Sequence, residues 1–236
     1  MKNSSNDIYI NGEYLKNNPD WDIADAKWKV EVISAILEKN GIYPADVIEI
    51  GCGAGANLVE LADRFDSVKQ LRGYDISPQA IALAEKKATD RISYFNEDLA
   101  TADNIKTQLL LVIDVIEHVD DFYGFLRKLK MKSEYFIFHI PLDLSCRTIS
   151  KPHVLLQQRQ SVGHIHYFTA ATAEWALQDT GYEILDRVFT KPVVDTEPAR
   201  SGKRWIKKIL RNISFAINKE WSVKKWGGYS IMILAK

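Results

Sequence analysis

The chain has 236 residues, 46% hydrophobic and 26% charged, enough for one full-sized domain with an apolar core at roughly 100–200 residues per domain. Its 31 basic and 31 acidic residues balance, so the chain as a whole is not drawn to polyanions such as nucleic acid. Two distant cysteines, Cys52 and Cys146, exclude a disulfide framework and fit no zinc spacing, and a reduced, cytoplasmic protein is expected.

In chain order, the opening "MKNSSNDIYINGEY" has no apolar h-region, and no apolar run anywhere approaches 18 residues. "DWDIADAKWKVEVISAILEKNG" reads as a polar, Trp-containing lead into an amphipathic helix whose Ile33, Ile36 and Leu37 face a core. From Asp46 onward, short apolar runs alternate with helical patterns, as parallel βαβ units do. Strands are expected at 47–50, 70–74, 92–95, 109–114, 135–140, 182–189 and 229–234. Ser77 followed by Pro78 marks a helix start, Asp120 or Asp121 caps "FYGFLRKLK", and Thr169 caps a helix that Gly181 stops. Between Arg200 and Lys225 lie nine basic residues and one acid, Glu220, so this stretch carries +8 and the remainder, 22 minus 30, carries −8. Its pattern "GKRWIKKILRNISFAINK" sets Trp205, Ile206, Ile209, Leu210, Ile213 and Ile217 on one helix face and Lys203, Lys207, Lys208 and Arg211 on the other. Trp205, Ile209 and Ile213 are expected to pack against the rest of the chain, leaving the lysines in water. Docking on an anionic membrane, docking on a partner, and capping an acceptor pocket are the other roles open to this helix.

Glycines at 51, 53 and 55 suit a tight strand-to-helix turn that a ligand approaches closely. "GCGAGA" also satisfies the dinucleotide pattern G-x-G-x-x-G/A, with Asp75 about 20 residues on. No Lys-Ser/Thr pair follows, which excludes a Walker loop. Acids recur at the carboxyl edge of successive strands: Glu49, Asp75, Asp98 and Asp114. Ligands of open parallel sheets bind at that edge. Four acids there repel a pyrophosphate and suit a ligand with ammonium, sulfonium, diol and amine groups.

These stretches, "VIEIGCGAGANL", "GYDIS", "NEDLA", "LVIDVIEHV" and "GYEILDRVF…GGYSIMILAK", resemble the class I S-adenosylmethionine-dependent methyltransferases over most of 20–236. The resemblance implies a three-layer α/β/α fold, with a mostly parallel seven-stranded sheet ending in an antiparallel hairpin. It divides the chain into an N-terminal lid and lead-in helix at 1–45 and a core at 46–236, with a basic helical insertion at about 196–226. It also implies S-adenosylmethionine as cofactor, S-adenosylhomocysteine as product, and methyl transfer to an O or N nucleophile of a small-molecule acceptor. Glu49 and the backbone at Gly51, Cys52 and Gly53 would hold the methionine part, with Gly55 also counted among the cofactor-binding residues. Asp75 would take the ribose hydroxyls, with Ile76 under the adenine. Asp98 and Leu99 would meet the adenine edge, and Asp114 and Val115 would floor the transferred methyl. Trp21, Trp28 and Lys29 look like part of a lid segment, the lysine near the cofactor carboxylate.

Methyl transfer to a hydroxyl or amine calls for a base, and His118, His164 and His166 are the candidates. In "GHIHYFT" the last two share one side of the chain if the segment is extended. Their alternative role is to hydrogen-bond the backbone and orient loops. Asp114, Glu117 and His118 form D-x-x-E-H, similar to an E-x-x-E-H segment associated with a divalent ion in a ubiquinone-pathway O-methyltransferase family. Many metal-free relatives share the "EHV" ending, and no metal is assigned. The rival readings are a nicotinamide-dependent reductase and a non-catalytic docking protein that keeps the fold.

Overall fold

The computed structural model describes Tyr9, Asn11, Gly12, Tyr14, Asn18 and residues 23–102, 104–195 and 202–236; Trp21 of the expected lid lies outside them. Seven strands form one sheet: β1 (Asp46–Ile50), β2 (Gln70–Tyr74), β3 (Ile92–Phe95), β4 (Thr107–Ile113), β5 (Ser133–Pro141), β6 (Ile184–Thr190) and β7 (Ser230–Ala235). Their order is β3-β2-β1-β4-β5-β7-β6, with β1 to β5 parallel and β7 antiparallel to both its neighbours. The chain reverses direction of travel through the sheet between β1 and β4, which opens a crevice at their carboxyl ends.

The central strands read as unbroken apolar runs because both faces are covered. Along them, alternate residues feed two separate cores. Ile48, Leu110, Val112, Phe136, Phe138 and Ile233 belong to one. Val47, Leu109, Leu111, Ile137 and Leu234 belong to the other. On that second face lie α1 (Ala26–Lys39), α2 (Ala56–Arg64) and α3 (Pro78–Ala84), contributing Ile33, Leu37, Leu58, Leu61 and Ile81. On the first lie α4 (Phe122–Leu129) and, beyond two short helices α5 (Cys146–Ile149) and α6 (Pro152–Ser161), α7 (Ala170–Asp179). A short α8 (Pro192–Asp195) then leads to α9 (Gly202–Ile217) and α10 (Lys219–Trp226), which stand between β6 and β7 and add Phe215 and Val223 to the first core.

The helix signals act as read. Ser77 accepts from Ala80 N with Pro78 in the first turn, Asp121 accepts from Gly124 N, and Thr169 forms a reciprocal box with Thr172. Gly181, at φ +93°, stops α7. β4 ends at Ile113 rather than at Asp114, because Asp114 takes a left-handed φ of +53° that no strand accommodates. β6 starts two residues later than expected, since Tyr182 turns inward, donates to Leu126 O at 2.8 Å and sets its ring edge-on to Phe136 and Phe138.

The expected packing of α9 is overturned. Trp205 and Ile213 are 58% and 52% exposed, while Arg211 and Phe215 face inward. Arg211 donates to the Gly227 carbonyl and sits 5.1 Å from the centre of the Tyr229 ring, on which Phe215 also stacks. The aromatic pair and the capped guanidinium occupy the side that the apolar stripe was expected to fill.

Gly55, at φ +76°, has no room for a side chain: a Cβ there would lie 2.5 Å from ring atoms of Tyr94, whose hydroxyl donates to Gly55 O. Gly41 shares the backbone strain, at φ +69°, but has open space around it. Gly55→Ala should therefore cost roughly 2–3 kcal/mol, or about 5–10 °C in Tm, and clearly more than Gly41→Ala. Equal losses for the two variants in thermal unfolding would contradict the packing described at Tyr94.

Candidate active site

The turn from β1 into α2 carries the three glycines at φ +69°, +53° and +76°. Gly51 N and Cys52 N donate to Tyr74 O at 2.8 and 3.1 Å, which pins the turn against the end of β2. A Cβ on Gly51 would lie 2.6 Å from Val115 Cγ2, so the strand ends of β1 and β4 close on each other there. Asp75, just past β2, accepts from Gly53 N at 2.9 Å through one oxygen and from Ser77 N at 2.8 Å through the other. Burial pushes its carboxyl upward and those two donors hold it down. A carboxylate has about four lone-pair sites, so both oxygens can still accept from a ligand.

At this edge lies a cavity of about 450 Å³ lined by Gly51, Cys52, Gly53, Asn57, Asp75, Ile76, Asp114 and Val115 on one side, and by Tyr9, Lys29, Glu117, His118, His139 and His164 on the other. Its volume falls in the range of small-molecule sites. Glu49, on β1, sits one layer behind: 1% exposed, it accepts from Asn57 Nδ2 at 2.6 Å through Oε1, while Oε2 has no hydrogen-bond partner among the described residues. Burial pushes its carboxyl up to about 8, against the pull of Asn57 and Lys29.

The floor is a charged relay. Asp114 Oδ2 meets Lys29 Nζ at 3.0 Å, and Oδ1 meets His139 Nδ1 at 2.7 Å. His139 Nε2 is 3.0 Å from Thr190 Oγ1, and Trp28 stands edge-on to the same imidazole at 6.2 Å. Burial alone would raise the Asp114 carboxyl, but His139 and Lys29 hold it well below the usual carboxylate range. An ionised Asp114 only accepts, so Nδ1 of His139 carries the proton.

Above the floor, Glu117 is fully buried and neither of its side-chain oxygens has a hydrogen-bond partner among the described residues. Its backbone carbonyl accepts from Ile165 N and His166 N at 2.9 and 3.0 Å, which draws the 163–168 segment over the site. His164 Nδ1 contacts Asp143 Oδ2 at 2.7 Å, and Asp143 in turn accepts from Gln158 at 2.6 Å. His118 Nδ1 lies 2.8 Å from the Tyr9 hydroxyl and 3.2 Å from Gly163 O. With both Nδ1 atoms anchored, each Nε2 faces Glu117 Oε1, at 3.8 Å from His118 and 4.0 Å from His164. Burial, and then Asp114, push the Glu117 carboxyl far upward; burial and the neighbouring His164 push His118 down to about 4. The ligand atoms of Glu117, His118 and His164 lie within 4.8 Å of one another. That grouping makes a candidate cation site once the side chains draw together by a few tenths of an ångström, and Asp143 behind His164 is the outer carboxylate such sites use.

The expected residues thus divide. Lys29, Gly51, Cys52, Gly53, Asp75, Ile76, Asp114, Val115, His118 and His164 line the cavity. Lys29 there pairs with Asp114. Gly55 caps α2 behind it. Asp98 is exposed and accepts from Ala100 N at 2.9 Å, acting as a turn cap, and the Leu99 side chain is wholly buried in the core. His166 parts company with His164: its Nε2 lies 3.2 Å from Asp120 O and its ring packs edge-on to Phe122. His139, Asn57, Asp143 and Tyr9 were not anticipated. Asp143 was findable, since it is a further acid at the carboxyl end of a strand, β5.

Comparison with known proteins agrees with this architecture. Residues 23–187 match a family model described as a methyltransferase domain. Magnesium protoporphyrin IX methyltransferase from Synechocystis PCC 6803, solved with bound SAH, aligns with a TM-score of 0.59 at 18% identity, over 89% of this chain and 81% of that one. A putative methyltransferase of Haloferax volcanii, in complex with the Trm112 activator, aligns at 0.66 and 14%, over 96% and 95%. The N-methyltransferase NodS of Bradyrhizobium japonicum WM9, in complex with S-adenosyl-L-homocysteine, aligns at 0.53 and 17%, over 84% and 81%. At such identities the likeness is one of fold, and the fold is that of the class I methyltransferases. The family match covers well over half of the residues, and the chain belongs to the methyltransferase-domain family.

Proposed function

We propose that the protein transfers a methyl group from S-adenosylmethionine to a hydroxyl oxygen of a small-molecule acceptor. The observation that carries this reading is the pairing of a glycine turn with Asp75, Asp114 and, behind Asn57, Glu49, around a single cavity. The turn and Asp75 offer acceptors to a nucleoside diol, and carboxylates at Asp75 and Asp114 disfavour linked phosphates. The donor's ribose would accept the company of Asp75 and its adenine that of Ile76. Its ammonium would face the Asn57–Glu49 pair, and its sulfonium would lie over Asp114 and Val115. S-adenosyl ligands in the Synechocystis and Bradyrhizobium proteins support the choice of donor.

Transfer is an in-line displacement: the acceptor oxygen bonds the methyl carbon as the carbon–sulfur bond breaks, and the electron pair stays on sulfur in the neutral thioether product. The chain's contribution is positioning and exclusion of water. The acceptor proton would leave toward His118 or His164, whose Nε2 atoms face the buried Glu117, itself orphaned at both oxygens among the described residues. The same orphaned pair supports a second reading, in which these three residues hold a divalent cation. A cation there would lower the pKa of an acceptor hydroxyl.

Calorimetry should show S-adenosylhomocysteine binding and no uptake of a nicotinamide dinucleotide. Asp75→Ala should weaken the former by about 10–100-fold, the loss of hydrogen bonds to a charged group. Labelled methyl should pass from S-adenosylmethionine to hydroxylated small molecules. Glu117→Gln should abolish that transfer while leaving donor affinity within about threefold. Transfer unchanged in Glu117→Gln would remove the cluster from the reaction, and indifference to chelators would end the cation reading.

Glu49 supplies a pH test. Its folded-state carboxyl is raised from the ordinary 4.5 to about 8, so its contribution to stability is complete below 4.5 and is lost as pH rises through 8. Glu49→Gln carries no such proton. Its Tm measured against the parent's should climb between pH 5 and 9, and a constant difference would mean that Glu49 ionises normally.

A further inference from the structure

The α9–α10 crossover presents an apolar face outward. Ile206, Leu210, Ile213 and Ile217 of α9 are 53%, 50%, 52% and 80% exposed, as are Trp205 at its start, 58%, and Trp221 of α10, 50%. The α9 residues recur at helical spacing along one side. The opposite side is already satisfied. Phe215 is stacked on Tyr229 with ring centres 5.4 Å apart, and Arg211 is buried against the Gly227 carbonyl. Ser214 Oγ lies 2.9 Å from Ser222 Oγ and accepts from Trp226 Nε1 at 3.1 Å. Rolling α9 to hide its apolar stripe would expose Phe215 and strip Arg211 of its acceptor, so the stripe is a fixed feature of the fold.

Charge identifies what covers it. Nine basic residues against one acid lie within 200–225, and Lys207 of α9 and Lys219, Lys224 and Lys225 of α10 are exposed. We propose that α9 and α10 lie in the plane of an anionic lipid surface, the apolar stripe reaching into the acyl boundary and the lysines meeting acidic headgroups. A basic, amphipathic helix of about 24 Å, flanked by tryptophans, has the make-up of an interfacial helix. No helix among the described residues is long and apolar enough to cross a membrane, so the contact is peripheral. A second copy is the poorer occupant, because a symmetric contact brings two +8 segments face to face.

The test is flotation of the full chain with vesicles of phosphatidylcholine alone or mixed with phosphatidylglycerol, at low salt. The parent should float with the mixed vesicles and stay in solution with the neutral ones. Leu210→Glu/Ile213→Glu and, separately, Lys207→Glu/Lys224→Glu should each lower partitioning at least about tenfold. All four side chains are exposed, and unchanged S-adenosylhomocysteine affinity and Tm would certify that the variants fold. Failure of the parent to float, or flotation that survives Leu210→Glu/Ile213→Glu, overturns the proposal. It is equally overturned if light scattering finds a dimer that this double substitution dissolves while vesicles leave the parent in solution.

Discussion

The site is organised by the conformation of Asp114. As a non-glycine residue at φ +53°, it ends β4 abruptly and turns its carboxylate across the sheet edge, where Lys29 from α1 and His139 from β5 hold one oxygen each. A left-handed aspartate stores strain, of order 1 kcal/mol or more, and persists only where its surroundings over-determine it. Here the over-determination is visible. Asp114 N donates to His139 O at 3.0 Å, so the residue that receives the carboxylate also anchors the backbone that presents it. Three elements distant in sequence are locked at one carboxylate, and the cavity lies directly over them.

Two other acids show a different arrangement of cost and use. Glu49 and Glu117 are buried with oxygens that have no hydrogen-bond partner among the described residues, a state that costs about 1–3 kcal/mol per group and more when ionised. Both stand at the cavity, one behind Asn57 and one beneath two imidazoles. Groups left in this condition are poised for a ligand, and in the proposed reaction the donor would meet Glu49 and the acceptor Glu117. Asp75 contrasts with both, being fully engaged by backbone donors and needing only spare lone pairs.

Much of this was legible in the sequence, for identifiable reasons. β2 and β3 have the bounds expected from apolar runs flanked by turn residues, and the caps at Ser77, Asp121 and Thr169 follow from local hydrogen bonding alone. Asp75 and Asp114 mark the cavity because strand direction and topology put such ends on one side, whereas Asp98 in the same row only caps a turn. What local pattern could not convey was competition for space. The stripe on α9 has the periodicity of a packed helix, yet Phe215 and Tyr229 had already filled that side of the core. His164 and His166, two apart in a segment with no strand, diverge because one is drawn to Asp143 and the other to a backbone carbonyl. His139 was hidden by its setting in an apolar strand, where nothing marks it as the partner of an aspartate 25 residues earlier.

Every role proposed for the cavity depends on an adenosyl donor occupying the edge between β1, β2 and β4. Hydrogen–deuterium exchange with and without S-adenosylhomocysteine tests this directly. Slowed exchange concentrated at 51–57, 75–77 and 113–118 is the predicted result. Ligand-dependent protection confined to other parts of the sheet, with those three segments unchanged, would contradict it.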